Sequence, residues 1–292
     1  MMKALITGGA GVVGKALCRE LETRGVCVRV LALPGDTLAS SRIPSGVELV
    51  YGDVTDFESI RAAFDGVDVV FHLAAALLST VPGEFERVNA QGTRNVVSAC
   101  QDAGVRRLLY VSSISVTYPI LTPYGESKLA GEDAVKGSGL DWTVVRPTLV
   151  IGDGGGVEFN MYARYVSRFP LYFLPGGGLA RKRPVRSVDL VQGIAVAGLS
   201  ESAIGKTYAL AGPTVMTMAQ IAKSVLDARG LKRLMIPLPW SICRRLAVLK
   251  AWIGGRKVSA EQALAGFLYD AAPSIESAEK DLGYHPKSPF EP

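Results

Sequence analysis

Lys3-Ala-Leu-Ile-Thr7-Gly8-Gly-Ala-Gly11-Val-Val-Gly14 is the stretch on which the fold turns. A short apolar run breaks into glycines spaced three apart, then gives way to a helical pattern through Ala16, Leu17 and Leu21. A strand that ends in such a turn and feeds a helix leaves backbone N–H groups and a positive dipole end facing outward. That suits an anion, and a dinucleotide pyrophosphate above all. The first glycine permits the bend, the second lets phosphate approach the backbone, and the third lets the helix lie close on the strand.

The same rhythm continues outward from this turn. Strands are expected at Lys3–Thr7, Val26–Leu33, Val47–Tyr51, Val67–Leu73, Arg107–Ser112 and Trp142–Arg146, with amphipathic stretches Phe57–Phe64, Glu84–Ala103 and Tyr124–Lys136 between them. Strands alternating with helices imply an α/β chain: a Rossmann-type, doubly wound parallel sheet covered on both faces, with ligands beyond the carboxyl ends of its strands. Residues 1–150 read as the dinucleotide-binding domain. Residues 151–292 read as a smaller, mixed substrate-binding portion, with 185–215 returning to the sheet. Helices are expected there at Phe159–Phe169, Leu190–Leu199, Met218–Gly230 and Trp240–Ile253.

Composition narrows the classes. Of 292 residues, 48% are hydrophobic and 20% charged, the profile of an ordinary globular protein. No apolar run reaches the roughly 20 residues that span a bilayer. The N-terminal apolar segment leads straight into the glycine turn and does not read as a signal peptide. A cytoplasmic protein is expected. Cys18, Cys27, Cys100 and Cys243 are scattered and read as buried thiols. With two histidines, His72 and His285, and no His/Cys cluster, no metal site is expected. A net charge of +5 is too diffuse for a nucleic-acid footprint.

Tyr124 and Lys128 lie four apart on an expected helix, hence on one face, with Pro123 at its first position and Thr122 as cap. Free tyrosine titrates near roughly 10, and an ammonium about 4 Å away at an effective dielectric near 20 is worth roughly 4 kcal/mol. Lysine one turn on is therefore a means of making tyrosine a usable acid/base, although an exposed amphipathic pair has the same spacing. Ser112 and Ser113 end the strand Leu108-Leu-Tyr-Val. A hydroxyl there suits a substrate carbonyl oxygen, or equally the capping of local backbone.

Taken in order, these motifs resemble the extended branch of the short-chain dehydrogenase/reductase superfamily, the NAD-dependent epimerase/dehydratase family. The resemblance covers nearly the whole chain. Thr7-Gly8-x-x-Gly11-x-x-Gly14 resembles the cofactor turn, Gly52-Asp53-Val54-Thr-Asp56 the adenine segment, and His72-Leu-Ala-Ala75 the strand end beside the cofactor. Val88-Asn89-x-x-Gly92-Thr93, Tyr110-Val-Ser-Ser113, Pro123-Tyr124-x-x-x-Lys128, Val145-Arg-Pro-Thr148, Asp189 and Leu282-Gly-Tyr284 follow in family order. The resemblance implies Tyr124 as acid/base, Lys128 lowering its pKa and holding the nicotinamide ribose, and Ser113 polarising the substrate. It implies a cofactor set of Gly8, Gly11, Val12, Val13, Gly14, Asp53, Val54, Leu73, Ala74, Ala75, Tyr124, Lys128 and Pro147. Asn89 would support a proton relay or satisfy backbone, and His72 would pack at a strand end.

Three features depart from the family pattern. The Ser113–Tyr124 interval is short, which removes part of the usual lid. Leu149 stands where nucleotide-sugar epimerases carry an asparagine, which disfavours a nucleotide-sugar substrate. Ala32 and Leu33 supply no carboxylate to ribose hydroxyls, so the cofactor is NAD or NADP with a lean to NADP, Arg42 being within possible reach of a phosphate. The basic cluster Arg181-Lys-Arg183 with Arg186 is either a seat for an anionic group or a solvated loop. Trp240–Lys257 is either a helix walling the pocket or a basic surface helix.

The expected function is an NAD(P)-dependent oxidoreductase interconverting a secondary alcohol and a ketone, akin to the 3β-hydroxysteroid dehydrogenase group. The alternatives are a sugar or nucleotide-sugar epimerase/dehydratase with transient hydride transfer, and a non-catalytic dinucleotide-binding module resembling an accessory subunit of respiratory complex I. The expected partner is a small molecule, apolar or carrying an anionic group. No nucleic acid or membrane contact is expected, and a homodimer is possible from the family.

Overall fold

The computed structural model describes residues 1–152, 156–245 and 260–290. Seven strands form one parallel sheet: β1 (Lys3–Thr7), β2 (Cys27–Ala32), β3 (Glu48–Tyr51), β4 (Val69–His72), β5 (Arg107–Val111), β6 (Asp141–Pro147) and, much later in the chain, β11 (Lys206–Leu210). Their order across the sheet is β11-β6-β5-β4-β1-β2-β3. The winding reverses between β1 and β4, where Thr7 pairs with His72 at the carboxyl ends. That is the place where such sheets hold ligands.

Each strand is apolar because both faces are covered. One face packs Ile6, Val28, Val30, Phe71 and Leu109 against α1 (Val12–Thr23) and α7 (Ser187–Leu199), through Leu17, Leu21, Leu190 and Ile194. The other packs Leu5, Val70, Leu108 and Tyr110 against Val96 and Cys100 of α4 (Gly92–Asp102) and Val135 of α5 (Pro123–Lys136). Helix α5 begins as its residues dictate: Thr122 caps it by accepting from the Gly125 N–H at 3.0 Å, with proline next.

The short strands β7 (Val150–Ile151) and β10 (Val185–Arg186), and β9 (Arg181–Lys182) and β12 (Met216–Thr217), pair to form the border of the smaller portion. Its own core gathers α6 (Val157–Arg168), α8 (Met218–Ala228) and the parallel pair β8 (Leu171–Pro175) and β13 (Leu234–Leu238) around Tyr162, Val166, Tyr172, Ile221 and Val225. This pair was not expected from the sequence: prolines and glycines obscure the alternation. The last described helix, Glu276–Leu282, returns to the large sheet, burying Ala278, Leu282 and Tyr284 there.

Other expectations need adjustment. The Glu84–Ala103 helix is interrupted by a π-turn over Glu86–Gln91 before α4 begins. Cys18, Cys100 and Cys243 are buried, but Cys27, at the first position of β2, is exposed. Most of the expected helix Trp240–Ile253 lies outside the described residues. No helix among the described residues is long and apolar enough to cross a membrane, and no described side-chain group has the makings of a metal site.

Candidate active site

The glycine turn divides its labour. Gly8 has φ +72 and sits so close to the chain after β4 that a Cβ would meet the Ala74 nitrogen at 2.8 Å. Gly14 is buried, and a Cβ there would meet the Gly8 carbonyl oxygen at 2.5 Å, so only glycine lets α1 lie on the strand end. Gly11 is exposed and is the N-cap of α1 without a side-chain cap, which leaves the first helical N–H groups without a side-chain acceptor. Val12 is exposed beside it, while Val13 turns onto the core. An open, positively polarised helix end bordered by bare backbone fits a dinucleotide pyrophosphate.

Leu73, Ala74 and Ala75 follow β4 directly across from this turn, partly exposed. Asp53 and Val54 follow β3. The Asp53 carboxylate accepts from the Thr55 N–H at 2.9 Å, and the Val54 carbonyl accepts from Asn95 at 2.8 Å. Pro147 ends β6 and pairs with Leu210. Arg42, the proposed reach toward a phosphate, is ion-paired with Asp36 at 3.0 Å. Leu33 is 57% exposed at the end of β2, where a ribose-binding carboxylate would stand.

Beneath the turn runs a buried polar chain whose direction can be read. The Ala74 N–H donates to Thr7 Oγ1 at 3.2 Å, and Thr7 Oγ1 lies 2.7 Å from His72 Nδ1. His72 Nε2 lies 2.9 Å from Thr93 Oγ1, which itself donates to the Asn89 carbonyl at 2.5 Å. Because Thr93 gives its proton to a carbonyl, it must accept from His72, which is therefore the neutral Nε2–H form. Burial, assisted by the Lys128 charge, lowers the His72 pKa to about 3. Asn89 lies within the π-turn. Its amide accepts from the Ala76 N–H at 2.8 Å and donates to the Ala76 carbonyl at 3.1 Å and to Ser127 Oγ at 3.0 Å.

Ser113 and Ser112 part company at the end of β5. Ser112 is buried and donates to Glu132 at 2.7 Å. Glu132 is fully buried and also receives a two-point contact from Arg146, at 2.8 and 2.7 Å, and Lys136 at 2.7 Å. Ser113 Oγ accepts from the Ser115 N–H at 3.2 Å and the Ser115 hydroxyl at 3.0 Å. With both lone pairs engaged, its proton is free to point outward, and Ser113 lies near enough to the Tyr124 phenol to pull the phenol's pKa down. Ser115 and Glu132 escaped the sequence reading. The spacing Tyr124, Lys128, Glu132, Lys136 on one helical face was the available sign for Glu132.

The electrostatics differ from the sequence expectation. Burial, then the Glu158 charge, pushes the Tyr124 phenol above its ordinary value, opposed by the nearby Ser113 hydroxyl. Lys128 is 1% exposed, its ammonium 4.2 Å from the centre of the Tyr110 ring. Burial lowers its pKa to about 7, against the upward pull of Glu132. Desolvation governs both groups, leaving Tyr124 a protonated phenol and Lys128 a cation that gives up its proton near neutrality.

The basic cluster is neither an open anion seat nor a solvated loop. Arg181 pairs with Asp270 at 2.7 Å, Arg183 donates to the carbonyls of Pro273 and Pro213, and Arg186 makes a two-point contact with Asp189 at 2.8 Å. Lys182 alone turns inward. Leu149 lies against the core of the smaller portion.

Residues 4–210 match the NAD dependent epimerase/dehydratase family. The chain is 29% identical to 2-alkyl-3-oxoalkanoate reductase of Stenotrophomonas maltophilia, over 99% of this chain and 96% of that protein. It is 30% identical to 3 beta-hydroxysteroid dehydrogenase/Delta 5-->4-isomerase of Mycobacterium tuberculosis, over 97% of this chain and 86% of that one. The crystal structure of gox2253 superposes with a TM-score of 0.82 at 26% identity, over 99% of this chain and 95% of its own. The fold and the turn define a dinucleotide-binding α/β enzyme. The chain belongs to the NAD dependent epimerase/dehydratase family, and its chemistry is the NAD(P)-dependent oxidoreductase or epimerase chemistry of that superfamily.

Proposed function

We propose that this enzyme interconverts a secondary alcohol and a ketone, with Tyr124 exchanging the proton, Ser113 holding the oxygen and Lys128 supporting Tyr124. The bound nicotinamide would supply or accept the hydride at the carbon. Gly8, Gly11, Val12, Val13 and Gly14 would hold its pyrophosphate, Asp53 and Val54 the adenine end, and Leu73, Ala74, Ala75, Tyr124, Lys128 and Pro147 the nicotinamide end. The observation that carries the reading is the Ser113 hydroxyl, fixed by Ser115 with its proton free, and near enough to Tyr124 to lower the phenol's pKa. A carbonyl oxygen entering there would take two hydrogen bonds, and its developing charge would draw the phenolic proton.

A protonated Tyr124 can serve as the acid in ketone reduction, the reverse reaction using its conjugate base. Apolar groups around the approach fit a lipophilic substrate: Leu77, Leu78 and Ile120 are exposed after β4 and after the Ser113 turn. Ala32 and Leu33 leave space for a ribose phosphate whereas Arg42 is already neutralised by Asp36, so the cofactor is placed no more finely than NAD or NADP. The test is Tyr124→Phe assayed against a panel of lipophilic ketones with NADH and NADPH. General acid catalysis is worth about 10²–10⁴ in rate, so kcat should fall by that factor while the dinucleotide, held mainly by the glycine turn, still binds. Equal activity in both proteins would overturn the reading.

The epimerase reading shares these residues and is favoured by the family match itself. It requires a retained cofactor and no net nicotinamide turnover, which the same panel reports.

A further inference from the structure

Lys182 is only 4% exposed, yet among the described residues no carboxylate makes an ion pair with its ammonium. Asp270, next to Ala271, which bridges directly to Lys182, is committed to Arg181 at 2.7 Å. The ammonium donates to the Tyr269 carbonyl at 2.7 Å and to the Tyr118 hydroxyl at 3.3 Å, and sits 5.2 Å from the centre of the Tyr118 ring. An ammonium has three donors, so one remains, and the Tyr118 hydroxyl, accepting from Lys182, keeps its own proton to give. Its hydrogen-bond partners are neutral, with the Glu158 and Asp270 charges acting only from beyond ion-pair distance, and burying a cation in this way is costly and not something a packing role requires.

Its location gives the pair a use. Tyr118 ends the 3-10 turn Ile114–Thr117, whose N-cap is Ser113, and its N–H donates to the Ser115 carbonyl at 3.3 Å. Ser115 in turn donates to Ser113, so Ser113, Ser115, Tyr118 and Lys182 form one hydrogen-bonded run, and the Glu158 charge acts on Tyr124, Tyr118 and Lys182 alike. Resting on the reading that Ser113 and Tyr124 receive a ketone, we infer that Lys182 and Tyr118 seat a second oxygen of the same substrate molecule. The substrate class is then a ketone or alcohol carrying a further acceptor oxygen, either a carboxylate or a carbonyl. The Arg181, Arg183 and Arg186 side chains take no part, each being tied elsewhere.

The test uses the full chain with saturating NADH or NADPH and three probe sets of equal chain length. These are unbranched keto acids with the ketone two to six carbons from the carboxylate, their methyl esters, and methyl ketones lacking a second oxygen. Lys182→Met should raise KM at least tenfold for the acid of best-fitting length and leave the methyl ketone within twofold. Tyr118→Phe, which keeps the ring and the fold, should act in the same direction by about threefold. A larger loss for acid than for ester assigns the seat to carboxylate, and equal losses assign it to carbonyl. Loss shared equally by all three sets, or absent from all, overturns the inference. Equilibrium binding of the same probes separates this from the reaction itself. Preferential binding abolished by Lys182→Met without any turnover retains the seat and removes the oxidoreductase. No preference in binding removes the seat.

Discussion

Lys128 is where function works against stability. Its pKa of about 7 in the fold compares with roughly 10.4 in an unfolded chain. Below pH 7 the buried ammonium carries its desolvation cost in full. Between the two values the unfolded chain holds a proton that the folded one has released, so folding stability rises with pH. Lys128→Met removes the charge at nearly constant volume. The variant should be more stable than the parent at pH 6.5, by on the order of 2–4 kcal/mol, and the gap should narrow by pH 9.5. Urea unfolding at both pH values measures it, and a gap independent of pH would place the cost elsewhere than in the buried charge. His72 works with the same sign over a lower window: the fold, holding it neutral down to about 3, loses stability as pH falls below about 6.5. Ser112 and Ser113 teach a related lesson. Nothing in two adjacent serines tells which faces the cleft, and the answer lies in Glu132, which captures Ser112 from twenty residues away.

At the scale of the element, the turn before α1 separates packing from binding within six residues. Gly14→Ala sets a methyl against the Gly8 carbonyl at 2.5 Å and the Gly9 Cα at 2.6 Å, backbone that has no room to yield, and should cost about 1–3 kcal/mol. Gly11→Asp meets only the Gly8 carbonyl, at 3.1 Å, and places a favourable residue at an N-cap that has no side-chain bond. Its unliganded stability should stay within about 1 kcal/mol of the parent, while its carboxylate repels a pyrophosphate. At a hundredfold excess over Kd a dinucleotide stabilises by about 2.7 kcal/mol. Thermal unfolding with and without NADH or NADPH should show that gain in the parent and none in Gly11→Asp; a gain retained in the variant would move the cofactor elsewhere. This element was legible because its chemistry is local, as was the Thr122–Pro123 start of α5. The π-turn at Asn89 was not, because the Asn89 amide depends on Ala76 and Ser127, which the fold brings to it from two other places. Ser115 and Glu158 were missed for the same reason, and the Arg181-Lys-Arg183 cluster was seen without any sign that Lys182 alone turns inward: ordinary residues acquire meaning only through partners distant in sequence.

Across the whole molecule the chain leaves its large sheet after β6 and comes back twice. The first return adds α7 and β11, and the second is Glu276–Leu282 with Tyr284, after the smaller portion has been built. The second return is held by chemistry as well as packing. Asp281 pairs with Lys206 at 2.7 Å and accepts from the Tyr208 hydroxyl at 2.9 Å, while Tyr284 covers Gly193 on α7 so closely that a Cβ there would meet its ring at 3.0 Å. Leu282 is 8% exposed and Tyr284 5%, and full burial of a large apolar side chain is worth roughly 1.5–3 kcal/mol. Losing both, with Ala278 and the Asp281 contacts, should cost about 5 kcal/mol or more, comparable to the 5–15 kcal/mol that holds an ordinary domain folded. A chain cut after residue 274 keeps every residue proposed for cofactor and catalysis, yet it should unfold at a markedly lower temperature or fail to fold. Circular dichroism melting of the truncated and parent chains decides the matter. Equal melting temperatures would mean that the sheet is complete without this segment, and that its closure over α7 serves the smaller portion alone.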